Sequence, residues 1–140
     1  MHDEELSVKL SMFNAALHKA LRKEMSQIGA YSMTEQETLI YIFKNGTMLP
    51  TDLAALTRIS TPSMSQILRK MEEQGIVKRT PSTTDKRKVY VSLTESGNAL
   101  VEQVKDHKNE YLKNLLETKL SEAERKLLER ALPVLNKLIS

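Results

Sequence analysis

Polar and cationic side chains recur along a predicted helix at residues 61–74, and their chemistry suits contact with nucleic acid. Short hydroxyl groups, an amide and long cations can reach base edges and phosphates. The side chains are Ser63, Ser65, Gln66, Arg69 and Lys70. Taken alone, such a face is more typical of a solvated helix surface, so the surrounding sequence has to distinguish the two interpretations.

The helix that carries these side chains has clear ends and an apolar opposite face. Thr61 can cap its start, Pro62 suits the first helical position, and Gly75 predicts its end. Helical spacing predicts a buried stripe of Met64, Ile67, Leu68 and Met71. A short helix at residues 53–57 precedes it, and two helices joined in this way form a helix-turn-helix. Helix pairs of this form also occur in proteins without a nucleic-acid role.

A hairpin with a basic tip is predicted directly after this helix. Residues 76–80 predict a strand that Pro81 ends, and residues 82–85 are turn formers. A half-buried return strand is indicated by the alternating apolar residues Val89, Val91 and Leu93. Because a two-stranded hairpin is not stable alone in water, it must pack on helices. Helix and hairpin together have the form of a winged helix, whose helix enters the major groove while the tip contacts the backbone or minor groove.

Positive charge is concentrated on this helix and hairpin. Residues 58–90 contain eight Lys or Arg and three acids, a balance of +5, whereas the rest of the chain has a balance of −2. A localised basic surface is typical of a polyanion-binding protein. Phosphate contacts are expected from Lys70, Lys78 and Arg79, with further cations at the tip, Lys86, Arg87 and Lys88.

Long amphipathic helices are predicted on both sides of the winged helix. The first spans residues 4–28 and ends at Gly29, and Thr34 with Glu37 forms a capping box for the next. Thr94 caps a second long helix, and a capping box at residues 121–124 opens a final one, which Pro133 should kink. The terminal helices carry more apolar surface than one small core can cover. A homodimer would bury it; the alternative is that these helices fold back on their own domain.

These features occur in the order found in a known family. The runs Gly75-Ile76-Val77-Lys78-Arg79, Asp85-Lys86-Arg87 and Val91-Ser92-Leu93-Thr94-Glu95-Ser96-Gly97 resemble the MarR family of winged-helix transcription regulators. The resemblance implies a mainly α fold with a small β-hairpin wing, in one domain over residues 1–140. Within it, residues 1–29 and 98–140 would form dimerisation helices and residues 30–97 the DNA-binding lobe. It also implies that Arg87 enters the minor groove and that Asp85 orients that arginine or another cation at the tip.

Other classes of function find little support in the sequence. The 140 residues include no Cys and no Trp, which excludes a disulfide framework, a thiol switch and a thiolate metal site. His2, His18 and His107 are scattered, so no metal site is expected. No nucleophile-and-base set or phosphate-binding Gly loop is present, and we expect neither catalysis nor a cofactor. No signal peptide or membrane-spanning run is found, which predicts a cytoplasmic protein.

The function predicted is a homodimeric regulator, with repression the expected direction, that binds a pseudo-palindromic operator in double-stranded DNA. Gln66 could pair with adenine and Arg69 with guanine. The alternative is a helical dimer that uses its winged helix to bind proteins, without sequence-specific DNA binding. The family commonly binds small aromatic or anionic effectors, which implies a pocket here lined by Leu17, His18, Leu21, Tyr31, Met33, Met64 and Ile67. Those residues could equally be core.

Overall fold

The computed structural model describes residues 1–26 and 31–140, so Ile28 and Gly29, the predicted end of the first helix, lie outside the described residues. The described elements are α1 (Asp3–Met25), α2 (Met33–Asn45), β1 (Thr47–Met48), α3 (Pro50–Thr57), α4 (Thr61–Glu73), β2 (Val77–Pro81), β3 (Val89–Leu93), α5 (Glu95–Lys119) and α6 (Glu122–Asn136). The predicted fold class, mainly α with a small β wing, is confirmed. The chain forms two compact units, residues 1–106 and 107–140, with α5 contributing to both.

The wing belongs to a three-stranded antiparallel sheet in the order β1-β3-β2. Strands β2 and β3 pair with Val77 opposite Leu93 and Pro81 opposite Val89. Pro81 was expected to end the strand before it, but it is the last paired residue of β2. An edge strand tolerates Pro there because the missing N–H is not needed by a neighbour. Strand β1 was not predicted, since two residues are too few to show a period.

The start of α4 lies one residue earlier than the sequence suggested. Ser60, not Thr61, is the N-cap: its backbone is extended and its Oγ accepts the N–H of Ser63 at 3.1 Å. Pro62 therefore lies at the second helical position, where its missing N–H is still without cost. The predicted end is confirmed, because the chain leaves the helix through Gly75 with a left-handed φ of 75°.

The capping box of α2 also differs from the predicted one. Ser32 Oγ accepts the N–H of Glu35 at 3.2 Å, and Glu35 Oε1 accepts the N–H of Ser32 at 3.0 Å. The prediction of Thr34 with Glu37 was wrong because both pairs fit the same motif, and the helix begins at the earlier one. Glu37 instead pairs with Arg22 of α1 at 2.9 Å.

The core of the first unit lies under α4 and the sheet. In the predicted stripe of α4, Met64, Leu68 and Met71 are fully buried, whereas Ile67 is only partly buried. The core is completed by other helices, by both long strands and by the residue before β2, with Leu39, Ile42, Leu53, Ala54, Ile76, Val77, Val91 and Val101. This core holds the inner face of α4 against the body of the unit and leaves the opposite face to solvent.

The second unit contains the end of α5 and the whole of α6. The predicted cap at residues 121–124 is confirmed, with Ser121 and Glu124 forming both bonds of a capping box. Arg125 Nη1 donates to the carbonyl of Leu120 at 3.0 Å, which fixes the turn between the helices. Helix α6 continues through Pro133 to Asn136, and none of its residues is buried. The kink at Pro133 stays a prediction.

Candidate nucleic-acid interface

The outer face of α4 presents the polar side chains that the sequence singled out. Ser63, Gln66 and Arg69 are exposed, and Ser65 is partly buried. Ser63 Oγ accepts a hydrogen bond from Ser60 Oγ at 2.8 Å. Within residues 1–26 and 31–140, no hydrogen bond or ion pair engages the side chain of Gln66 or Arg69. These two groups are therefore available for an external partner.

Lys70 lies on the side of α4 that faces α2. Its Nζ is 2.9 Å from Glu35 Oε2, and the side chain of Glu35 is only 9% exposed. Burial alone would raise the pKa of the Glu35 carboxyl, but hydrogen bonds from the Ser32 backbone and from Lys70 outweigh it and lower the pKa. Sequence patterns could not reveal this pair, because its members are 35 residues apart.

The wing, residues 82–88, is held in shape by its own polar groups. Asp85 Oδ1 accepts two hydrogen bonds from Arg87, one from its backbone N–H at 3.0 Å and one from its side-chain Nε at 3.2 Å. The N–H of Ser82 donates to the carbonyl of Lys88 at 2.9 Å, closing the loop. Hydrogen bonds from the Arg87 backbone and side chain lower the pKa of the Asp85 carboxyl, so it is ionised at neutral pH. The Arg87 side chain is 91% exposed and projects from this fixed turn.

Further exposed cations lie on the wing, on β2 and in the turn before α4. Lys78, Lys86 and Lys88 are exposed, and Arg79 Nε lies a loose 3.8 Å from Glu72 Oε2. Arg58 was not among the predicted site residues: it ends α3 with a left-handed φ of 60° and is exposed in the turn before α4. The sequence signal for Arg58 is its charge in a helix-turn-helix link, but its backbone conformation is visible only in the structure.

The residues expected to line an effector pocket divide between core and surface. Met64 is fully buried in the core, and Tyr31 and Ile67 pack against that core. Three more are partly buried, namely Leu17, Leu21 and Met33, while His18 is exposed. Met64 therefore has no surface open to a ligand in this conformation, and the pocket stays a prediction.

Comparison with known proteins identifies the family of this arrangement. The model of the MarR family matches residues 31–89. The HTH-type transcriptional regulator MT0903.1 of Mycobacterium tuberculosis is 32% identical over 129 residues, covering 92% of this chain and 89% of that protein. The chain belongs to the MarR family. As a MarR-family protein it is a DNA-binding transcriptional regulator and not an enzyme, as the sequence predicted.

Two other proteins are similar to this chain, one in sequence and one in fold. The homoprotocatechuate degradative operon repressor of Escherichia coli is 34% identical over 102 residues, 71% of this chain and 66% of that protein. A mutant of MepR from S. aureus, solved bound to an oligodeoxyribonucleotide, shares the fold. It has a TM-score of 0.67 and 22% identity, with 96% of this chain and 98% of that chain covered.

Proposed function

We propose that this MarR-family protein is a homodimeric repressor that reads a pseudo-palindromic operator with two copies of α4. The observation that carries the proposal is that Gln66 and Arg69 are exposed, with no side-chain hydrogen bond among the described residues. They lie on a helix whose other face is buried in the core. Amide and guanidinium groups in this setting suit adenine and guanine edges in the major groove. Arg87 and the other wing cations would contact the minor groove or backbone beside the same half-site.

The exposed apolar surface of the terminal helices supports the dimer. More than half of the surface of Leu127, Leu132 and Val134 in α6 is exposed to solvent. The same is true of Met12 and Phe13 in α1. Large contiguous apolar surfaces on a small protein mark an interaction surface. A second copy would cover both faces and place the two recognition helices roughly 34 Å, or about 10 bp, apart.

The proposal includes repression and its relief by a small molecule. Repression is favoured by the E. coli relative, whose name describes a repressor. An aromatic or anionic effector would have to displace Met64 or its neighbours from the core to open a pocket. It could then weaken DNA binding only by its preference for the DNA-incompetent conformation. The similarity to DNA-binding transcriptional regulators supports a cytoplasmic location, which is part of the proposal. Among the described residues, no helix is both long and apolar enough to cross a membrane.

Selection of bound duplexes from a random DNA pool, with the purified chain, tests the proposal. The expected result is one enriched motif with two related half-sites. Gel-shift experiments should then show that the selected duplex resists competition by excess random DNA. An absence of enrichment, or equal competition by random duplexes, would favour the alternative of a protein-interaction module.

A further inference from the structure

Lys70 lies on α4 with a side chain that is 47% exposed, yet its Nζ is 2.9 Å from the nearly buried carboxylate of Glu35. We propose that Lys70 is a positioning residue, which acts through Glu35 to fix α4 against α2, and that it does not bind a DNA phosphate. The inference rests on the proposed function, because it assigns a role within the same DNA-reading surface. It replaces the phosphate contact that the sequence suggested for this side chain.

The Glu35 carboxylate is a fixed anchor for Lys70. One oxygen accepts the Ser32 N–H in the capping box, and the other accepts Lys70 Nζ at 2.9 Å. The position of Glu35 in the first turn of α2 also favours its negative charge. Since the carboxylate is nearly buried, removal of Lys70 would leave its charge with little access to water and without its paired cation. Lys70 therefore cannot leave for a phosphate without a cost at Glu35.

The same turn of α2 also contacts the end of α1. The buried side-chain amide of Gln36 donates to the carbonyl of Met25 at 2.9 Å and to that of Tyr31 at 3.1 Å. Two residues further along α2, the Thr38 hydroxyl lies 4.0 Å from the sulfur of Met64 in α4. The ion pair thus joins the recognition helix to the turn that also holds α1. A small rotation of α4 about this turn would move Gln66 and Arg69 relative to the base edges.

Three substitutions separate positioning from phosphate binding. Glu35→Gln removes the charge but keeps the capping box, because Gln serves at that position too. Lys70→Gln removes the cation, and Lys70→Arg keeps it. Lys78→Gln is the matched control, since Lys78 is an exposed cation on β2 with no ion partner among the described residues. Circular dichroism confirms that each variant is folded at the temperature of the binding measurement.

Affinity is measured for the selected duplex and for a random duplex over a range of KCl concentrations. Lys70→Gln and Glu35→Gln should each lower affinity for the selected duplex on the order of tenfold. The double variant should bind no more weakly than either single variant. Affinity for the random duplex should hardly change, and neither should the slope of log affinity against log KCl concentration (the salt slope). Lys70→Arg should keep most of the wild-type affinity. Lys78→Gln should instead lower the slope by about one on both duplexes.

Two outcomes would overturn the inference. In the first, Lys70→Gln lowers the salt slope like Lys78→Gln while Glu35→Gln leaves affinity unchanged, which is the behaviour of a phosphate contact. In the second, the effects of the two single variants add in the double variant. Either result leaves the proposed function intact, whereas a wild-type chain that selects no duplex would overturn both.

Discussion

Thr94 donates its hydroxyl to the carbonyl of Gly75 across a distance of 2.6 Å. The bond joins the residue through which the chain leaves α4 to the residue that caps α5. The same hydroxyl accepts the N–H of Gly97 at 3.1 Å, and the Thr94 N–H donates to the carbonyl of Ile76. This cluster explains physically why Thr94 and Gly97 occur three residues apart in the run of residues 91–97: it caps α5 and fixes the base of the wing at the end of α4.

Gly97 is required by the close approach of α5 to the end of α4. A Cβ at this position would collide with the backbone carbonyl of Ile76 and press on the side chain of Leu93. Gly97→Ala should therefore lower the free energy of unfolding by about 1–3 kcal/mol, measured by urea titration. Asn98→Ala, the exposed neighbour in the same helix turn, is the control. If Gly97→Ala were as stable as the control, the close packing would be wrong.

Acid should remove the contribution of Glu35 to stability. Since its pKa is lowered in the folded protein, its stabilisation is fully present above the unfolded pKa of about 4.3 and declines as pH falls through the lower folded value. The difference in unfolding free energy between wild type and Glu35→Gln should therefore shrink below about pH 4. The pKa values of Asp85 and Glu124 are also lowered in the folded protein. Because wild type and Glu35→Gln both contain these two residues, their contributions cancel in the difference. A difference that is equal at pH 7 and pH 3 would contradict the assignment.

Arg87 should contribute to binding without contributing to folding, because its side chain is almost wholly exposed at the wing. Arg87→Ala should weaken binding to all duplexes and reduce the salt slope by about one, with an unchanged melting temperature. Arg130→Ala, an exposed arginine of α6, is the control and should leave the slope as in wild type. Equal slopes for the two variants would remove Arg87 from the interface.

The apolar face of α6 should be covered by a second copy. Leu135→Asp places a carboxylate on that face and should dissociate or unfold the dimer, because the charge would be buried without a partner. Asn136→Asp adds the same charge to the adjacent residue and should leave the dimer intact. Light scattering gives the mass: a wild type that is a stable monomer, or a Leu135→Asp variant that stays dimeric, would refute this interface.

The sequence predicts elements better than it predicts the contacts between them. Helix α4 and strands β2 and β3 follow from local periodicity, which needs no tertiary information. The N-caps at Ser60 and Ser32 were misplaced because another competent cap residue lies one or two positions further on, and element boundaries are set by packing.

The partner of Lys70 could not be predicted, since Glu35 is distant in sequence and its burial depends on the assembled fold. The surface chemistry of Gln66, Arg69 and Arg87 could be predicted, because helix and hairpin geometry alone exposes them.

The outer face of α4 should read bases. The most direct test repeats the DNA selection with Gln66→Ala and Arg69→Ala beside the wild type, and measures affinity for the wild-type motif. Each variant should lose preference at particular positions of both half-sites, at a cost of about 1–3 kcal/mol on that duplex and far less on random DNA. An unchanged motif, or an equal loss on selected and random duplexes, would contradict base reading by this helix.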